Sequence, residues 1–355
     1  MDTPFSNIKI SHMRGWSSAL CAGAIALSIS SLHGAEVYSV PQGVVAIEIP
    51  AATNATTPSI TPIGLSLFNP PVYSGAVTAV TSNTITDSNA AFGDLSTVGN
   101  QHYIKVTSGT AAGRLFLISS NTGTSLTVAL GTPTVNVDAT GIAVAAGDHY
   151  QIIPADTLGS LFGEKESEVV LKTGSDANEA DNVVIWDDEE GGYVAFFNDG
   201  ENWFLAGGFP LPQNDRLIPL DNGMLIVHRD TNPLSIFISG QVPSSVEKTQ
   251  LPKRTLISNR FPVDTTLKES KINEAPGWVS STDFNVADTL AVWLAEDNGW
   301  VTYYHDGSNW FTPDFPVPQD DAIIKSNSAV FILRAGDAPV GSNSFMSQKL
   351  PYSLN

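Results

Sequence analysis

The chain is built of short apolar runs broken by glycine, proline and polar pairs. Runs such as Val-Thr-Ala-Val-Thr at 77–81 carry the β-branched residues that favour strands. No long stretch after residue 35 places its apolar residues at helical spacing. Val44–Ile49 reads as a strand that ends at Pro50, and Leu65–Val72 as a second short strand. The pair returns as Ile236–Val242, ending at Pro243, followed by Thr255–Val263. It starts once more at Phe345–Leu350, ending at Pro351, which points to a terminal strand that completes one repeat's sheet. The pattern predicts an all-β protein.

One stretch occurs twice. Gly192–Phe204 and Gly299–Phe311 are identical at seven of thirteen positions with a constant offset of 107. Phe209-Pro210-Leu211-Pro212-Gln213 then matches Phe315-Pro316-Val317-Pro318-Gln319 one residue out of step. Each stretch sets Asp-Gly between aromatic-rich runs, the pair that a two-residue turn with positive φ requires. Counted that way, Phe196 faces Trp203 and Tyr303 faces Trp310. Each aromatic cross-strand pair would contribute a few tenths to about 1 kcal/mol.

The duplication is longer than the hairpin. Val183–Trp186 and Met224–Val227 flank the first copy as Leu290–Trp293 and Ala329–Leu333 flank the second. Pro154–Leu158 resembles Pro262–Leu267, so Gly75–Ile153 reads as an insertion of about six short strands with tight turns, at Ser82-Asn83 and Asn121–Gly123 among others, in a small barrel or sandwich. The expected layout is a signal segment (1–35), repeat A (36–74 with 154–235), an inserted small β-barrel or sandwich module (75–153), and repeat B (236–355). Each repeat is expected as four or five antiparallel strands, a sandwich half or a partly open barrel.

The first residues break this pattern. Lys9 and Arg14 precede an apolar run, Ser17–Ile29, that is short for a membrane span, and small residues follow as far as Gly34-Ala35. This reads as an export signal cut near those residues, with an N-terminal membrane anchor as the alternative. The one cysteine, Cys21, lies inside the run behind Leu20, where lipid attachment requires a small residue. A cleaved chain would hold no cysteine, which excludes disulfides, thiolate nucleophiles and cysteine-held metals. The formal charge is −19, and about −20 without the first 35 residues. Such a surface repels nucleic acid and anionic lipid and keeps an exported protein soluble. The expected location is the periplasm, the outer surface or the exterior, with membrane contact only through the signal segment. The expected partners are surface polysaccharide or other envelope proteins.

Catalytic motifs are absent: no Gly-x-Ser-x-Gly, no His-Glu-x-x-His, no phosphate loop and no regular calcium loop. In the aligned copies His305 falls on Asn198 and His228 on Leu333, so neither histidine keeps its role. No catalytic residue is assigned and no cofactor is expected. The acidic turn Asp187–Glu190 has Glu296 and Asp297 at the positions of Glu189 and Glu190. These four acids read either as solvated turns or as calcium ligands, a cation that takes about six to eight oxygens. Trp203 and Trp310, with Asn202 and Asn309 beside them, read either as core or as a platform for a sugar ring. Trp186 and Trp293, within apolar runs, read as buried.

The combination of a signal segment, the run 108–122, Ile153–Gly163, two Asn-Trp hairpins, Pro262–Leu267, Gly277–Ser280 and Leu350–Leu354 resembles an uncharacterised family of exported bacterial proteins. The resemblance covers nearly the whole chain after the signal segment and implies export and the duplicated β plan; it brings no active residues. Residues 103–130 are similar to β modules of phage tail and fibre proteins. Three functions stay open at this point. The first is a non-enzymatic structural or adhesive element of the cell surface, envelope or exterior, and the second is a glycan-binding protein. The third is a glycoside hydrolase whose acids only the fold brings together.

Overall fold

The computed structural model describes residues 41–355 except 55, 130–136, 138–141, 188–189, 252–253, 295–298, 336–343 and 354–355. The expected export segment, with Cys21, lies outside the described residues. Among the described residues no helix is long and apolar enough to cross a membrane.

The first copy opens with β1 (Gln42–Ile49) and β2 (Ser59–Ile63). The insert follows as β3 (Tyr73–Ala76), β4 (Ala79–Val80), β5 (Thr84–Thr86), β6 (His102–Val106), β7 (Leu115–Asn121), β8 (Ser125–Val128) and β9 (His149–Pro154). The first copy resumes with β10 (Asp156–Thr157), α1 (Leu158–Phe162), β11 (Asn182–Asp187), β12 (Gly192–Asn198), β13 (Trp203–Leu205), β14 (Leu217–Ile218), β15 (Met224–His228) and β16 (Leu234–Gln241). The second copy has β17 (Glu247–Gln250), β18 (Arg254–Ser258), β19 (Thr265–Thr266), α2 (Leu267–Ser270), β20 (Thr289–Leu294), β21 (Gly299–His305), β22 (Trp310–Phe311), β23 (Ile323–Ile324), β24 (Ala329–Leu333) and β25 (Phe345–Gln348).

The two copies share one antiparallel plan. A five-stranded sheet runs β13-β12-β11-β15-β2 in the first and β22-β21-β20-β24-β18 in the second. Two ribbons flank each sheet: β1–β16 and β10–β14 in the first, β17–β25 and β19–β23 in the second. The short helices also start alike. Thr157 and Thr266 cap them, and Ser160 and Glu269 return the hydrogen bond to the cap's backbone, which satisfies amides that the first turn leaves free. The likeness of Pro154–Leu158 to Pro262–Leu267 is thus a likeness of structure.

Two expectations need correction. The boundary at 235/236 falls inside β16, which pairs with β1 from Gln42↔Gln241 to Ile49↔Leu234. Ile236 and Ile238 lie in the first core. The run that ends at Pro243 therefore closes the first copy, as β25 ahead of Pro351 closes the second by pairing with β17.

The hairpin register also differs. Asn198 pairs with Trp203 and Phe197 with Phe204, so Asp199–Asn202 form a four-residue loop. His305 likewise pairs with Trp310 and Tyr304 with Phe311. A two-residue turn of the predicted kind needs two successive positive φ angles, and within this loop only Gly200 has one, at 104°. The Asp199 carboxylate instead accepts from the amides of Glu201 (2.8 Å) and Asn202 (2.9 Å). Asp306 does the same for Ser308 (2.7 Å) and Asn309 (2.8 Å). An aspartate that caps its own loop outcompetes the tighter turn. The pairs Phe196–Trp203 and Tyr303–Trp310 do not form; the ring pairs are Phe197–Phe204 and Tyr304–Phe311, each at 6.1 Å.

The insert is a seven-stranded sheet in the order β3-β9-β6-β7-β8-β5-β4, curled into a half-barrel. The tight hairpin at Ser82-Asn83 is present, with Thr81 N donating to Thr84 O at 2.9 Å. Ile104, Val106, Phe116, Leu126 and Tyr150 belong to its own core.

The copies join through reciprocal contacts. Gly64 N donates to Asn327 O (2.8 Å), and Ser258 N donates to Asp221 O (3.0 Å). Ile63 pairs with Met224 as Ile257 pairs with Val330, which makes Gly64 the counterpart of Ser258, and Asp221 that of Asn327. Each bond is thus the other with the copies exchanged, the signature of an approximate two-fold axis. A Cβ on Gly223 would lie 2.2 Å from the Cβ of Ala329, its own counterpart. A Cβ on Gly64 would lie 2.9 Å from the Cα of Ser258. Side chains have no room where a residue meets its duplicate, and the first copy supplies glycine at both places.

A buried charge cluster adds the insert to this joint. Glu247 of β17 pairs with Lys105 of β6 and, at 3.3 Å, with Arg260, and all three side chains are at most 2% exposed. The Lys105 ammonium lies 4.1 Å from the Phe68 ring centroid. Burial pulls the Lys105 pKa down, and the Glu247 carboxylate opposes that.

Candidate functional site

The two tryptophans proposed for sugar stacking are core residues. Trp203 is 0% exposed and Trp310 1%. Trp203 donates from Nε1 to Gly163 O (2.6 Å) and packs on Phe162 (5.9 Å). Trp310 packs on Trp278 (6.0 Å) and His305 (5.2 Å), and its Nε1 has no protein acceptor among the described residues. Neither indole offers a face to a sugar: both lie on the inward face of the sheet, the face they share with buried Phe196 and Tyr303 in either register. Asn202 and Asn309 are half-buried, and the Asn202 side chain accepts from Asn214 Nδ2 (3.0 Å). Trp186 and Trp293, expected inside, are only half-buried. They pair across strands with Tyr193 (5.2 Å) and Trp300 (5.3 Å).

Of the four acids proposed for calcium, Glu189, Glu296 and Asp297 lie outside the described residues. Glu190 is exposed, and its amide donates to Asp187 Oδ1 (3.0 Å). Asp187 Oδ2 accepts from Arg216 (2.8 Å). Among the described residues no three His, Cys, Asp or Glu side chains cluster as metal ligands.

The strand register revises one histidine. Asn182 pairs with Val227 and Thr289 with Leu333, so the counterpart of His228 is Arg334, not Leu333. His228 Nδ1 meets the buried Asp181 carboxylate at 2.7 Å, and Arg334 Nε meets Asp288 at 2.6 Å. The amides of Lys172 (2.9 Å) and Arg229 (2.7 Å) complete the Asp181 cage; those of Val279 (2.9 Å) and Ala335 (2.6 Å) complete the Asp288 cage. A carboxylate clamped by two amides and one cation is therefore built twice. Burial pushes the His228 pKa down, but its bonds to Asp181 and the Asn232 carbonyl and the charges of Asp181 and Asp230 outweigh burial, leaving it raised. His305 is lowered, because burial outweighs the charges of Asp306 and Asp320. Its ring is held between Ser280, Asn273 and the Gly307 amide.

Open surface relief lies at the outer edge of the first sheet. A groove of about 410 Å³ has Phe197, Phe204 and Leu205 as its floor. Residues 175–178, Asp199, Gly207, Gly208 and Pro210 complete its lining. The Asp176 carboxylate is exposed and caps the amides of Asn178 (2.7 Å) and Glu179 (3.2 Å). The Phe-Pro loop continues from this edge and exposes Phe209 by 78% and Leu211 by 56%. Its counterpart exposes Phe315 by 57% and Val317 by 47%. The far end of each loop is pinned to the core tryptophan strand, where Gln213 N donates to Trp203 O and Gln319 N to Trp310 O, both at 2.7 Å.

Sequence reasoning used the Phe-Pro loops only to extend the repeat and missed the groove. The available signal was the aligned stretch Ser175-Asp176-Ala177-Asn178 against Thr282-Asp283-Phe284-Asn285, in which a small residue faces a large ring. No family model, curated protein or solved structure matches the chain.

Proposed function

We propose that the protein is an exported, non-enzymatic β-repeat protein, a structural or adhesive element that grips apolar surfaces of other envelope proteins through its two Phe-Pro loops. The observation that carries this is the outward pair Phe209/Leu211 and its duplicate Phe315/Val317, held clear of an otherwise acidic protein. Single exposed apolar residues are ordinary, but a duplicated pair on proline-stiffened loops is a built contact. Two equivalent contacts on one chain make the second engagement intramolecular, which multiplies weak affinities. The duplicate of the Asp181–His228 contact uses arginine, a permanent cation, which favours a clamp over a proton-transfer pair.

The test has two arms. N-terminal sequencing of the protein from fractionated cells should find a chain that starts near Gly34 or Ala35, outside the cytoplasm. Purified protein should cosediment with isolated cell envelopes, and the variant Phe209→Ser, Leu211→Ser, Phe315→Ser, Val317→Ser should not, with its unfolding temperature unchanged. Equal sedimentation of the two proteins would rule the adhesive role out.

A further inference from the structure

The duplication supplies an internal test of what the first-copy groove holds. Phe197 and Phe204 form its floor, with rings 6.1 Å apart and inclined by 38°. Their counterparts Tyr304 and Phe311 repeat that floor at 6.1 Å and 35°. In the second copy the space above the floor is taken by the half-buried ring of Phe284, edge-on to Tyr304 at 5.7 Å and 70°. The residue at the place of Phe284 in the first copy is Ala177, which lines the open groove. What the second copy fills with its own phenyl ring, the first copy leaves open.

We infer that this groove binds a phenyl-bearing side chain of a basic peptide segment. The edge-to-face contact in the second copy is the arrangement aromatic rings prefer with one another; a sugar would instead lay its C–H face flat on the floor. The rim sets the charge of the partner. Asp176 and Asp199 are exposed carboxylates that line the groove, and they complement lysine or arginine on either side of the inserted ring. The groove abuts Phe209 and Leu211 but is not lined by them, so this inference and the adhesive role fail on different variants.

The experiment is calorimetric titration of the full-length exported chain with the acetylated, amidated peptide Gly-Lys-Phe-Lys-Gly, with its Phe-to-Ala analogue and with cellotetraose. The expected result is one peptide bound per chain, no binding of the analogue, and affinity that falls as salt rises. Ala177→Phe, which copies the second copy's own residue, is expected to weaken binding at least tenfold. Phe284→Ala is expected to open the second groove and raise the stoichiometry from one to two. Peptide binding that ignores both substitutions overturns the site, as does no peptide binding at all. Binding of cellotetraose in place of the peptide, blocked by Ala177→Phe, overturns the ligand class in favour of a sugar. If Ala177→Phe lowers the unfolding temperature, the change in stoichiometry with Phe284→Ala decides alone.

Discussion

Gly223 and Ala329 hold the same place in the two copies and face each other where the copies join, so that a methyl on Gly223 would fall 2.2 Å from the methyl of Ala329. The expected cost of Gly223→Ala is that of overpacking a tight contact, about 1–3 kcal/mol. Adding Ala329→Gly moves the single methyl to the other side and should recover most of the loss. Urea unfolding of both single variants and the double variant measures the coupling. Strictly additive effects would show that the two residues do not compete for one space.

The paired clamps should respond differently to pH. The pKa of His228 is raised in the folded protein, so its protonated form is bound more tightly there than in the unfolded chain. That contribution is complete below the ordinary histidine pKa of about 6.5 and is lost as pH rises through the raised folded value. Arg334 keeps its charge throughout. Thermal unfolding followed from below pH 6 to pH 9 should show the wild type losing stability across the neutral range, and His228→Gln losing less. A wild-type curve no steeper than that of the variant would count against the assignment.

Glu247 is the shared partner of two buried cations. Glu247→Ala should cost about 3–5 kcal/mol, because both Lys105 and Arg260 are left buried without it. Lys105→Met should cost less, since Glu247 keeps Arg260 and the methionine fills the same channel beside Phe68. The reverse order in denaturant midpoints would refute this ranking.

The two core indoles should not be equivalent. Trp203→Phe removes the donor to Gly163 O and leaves a buried acceptor unpaired, a loss of about 1–3 kcal/mol beyond the change in packing. Trp310 Nε1 makes no such bond among the described residues, so Trp310→Phe should cost packing alone. Equal losses in chemical denaturation would set the asymmetry aside.

The repeat was legible because the Asp-Gly and Asn-Trp pairs keep their spacing, and the sheet built around them is the same in both copies. The hairpin register was not, since Asp-Gly suits a turn centred on that pair as well as the loop found here, in which the aspartate's amide bonds the asparagine carbonyl and its carboxylate accepts from the two amides beyond the glycine. That two-residue slip leaves Trp203 and Trp310 on the same face, and the sequence does not show which face turns inward; the slip does hide that Phe197 stands directly opposite Phe204. His228 was matched to Leu333, whereas the ladder matches it to Arg334; the offset of 106 already set by the two Phe-Pro loops, carried on to residue 228, gives Arg334 as well. The β16 boundary was misread because opening and closing strands both end at proline and carry similar apolar runs.

The pairing of Gln42 with Gln241 has a consequence for how the molecule is made. Synthesis delivers all seven insert strands by residue 154, while β1 has no partner until residues 234–241 appear, and β17 lacks its β25 partner until residues 345–348 appear. The insert is thus the first unit able to fold, and each copy is sealed by its last strand. A chain stopped short of residue 234 would carry β1 as an open row of amides and carbonyls, ready to be capped by a neighbouring molecule instead.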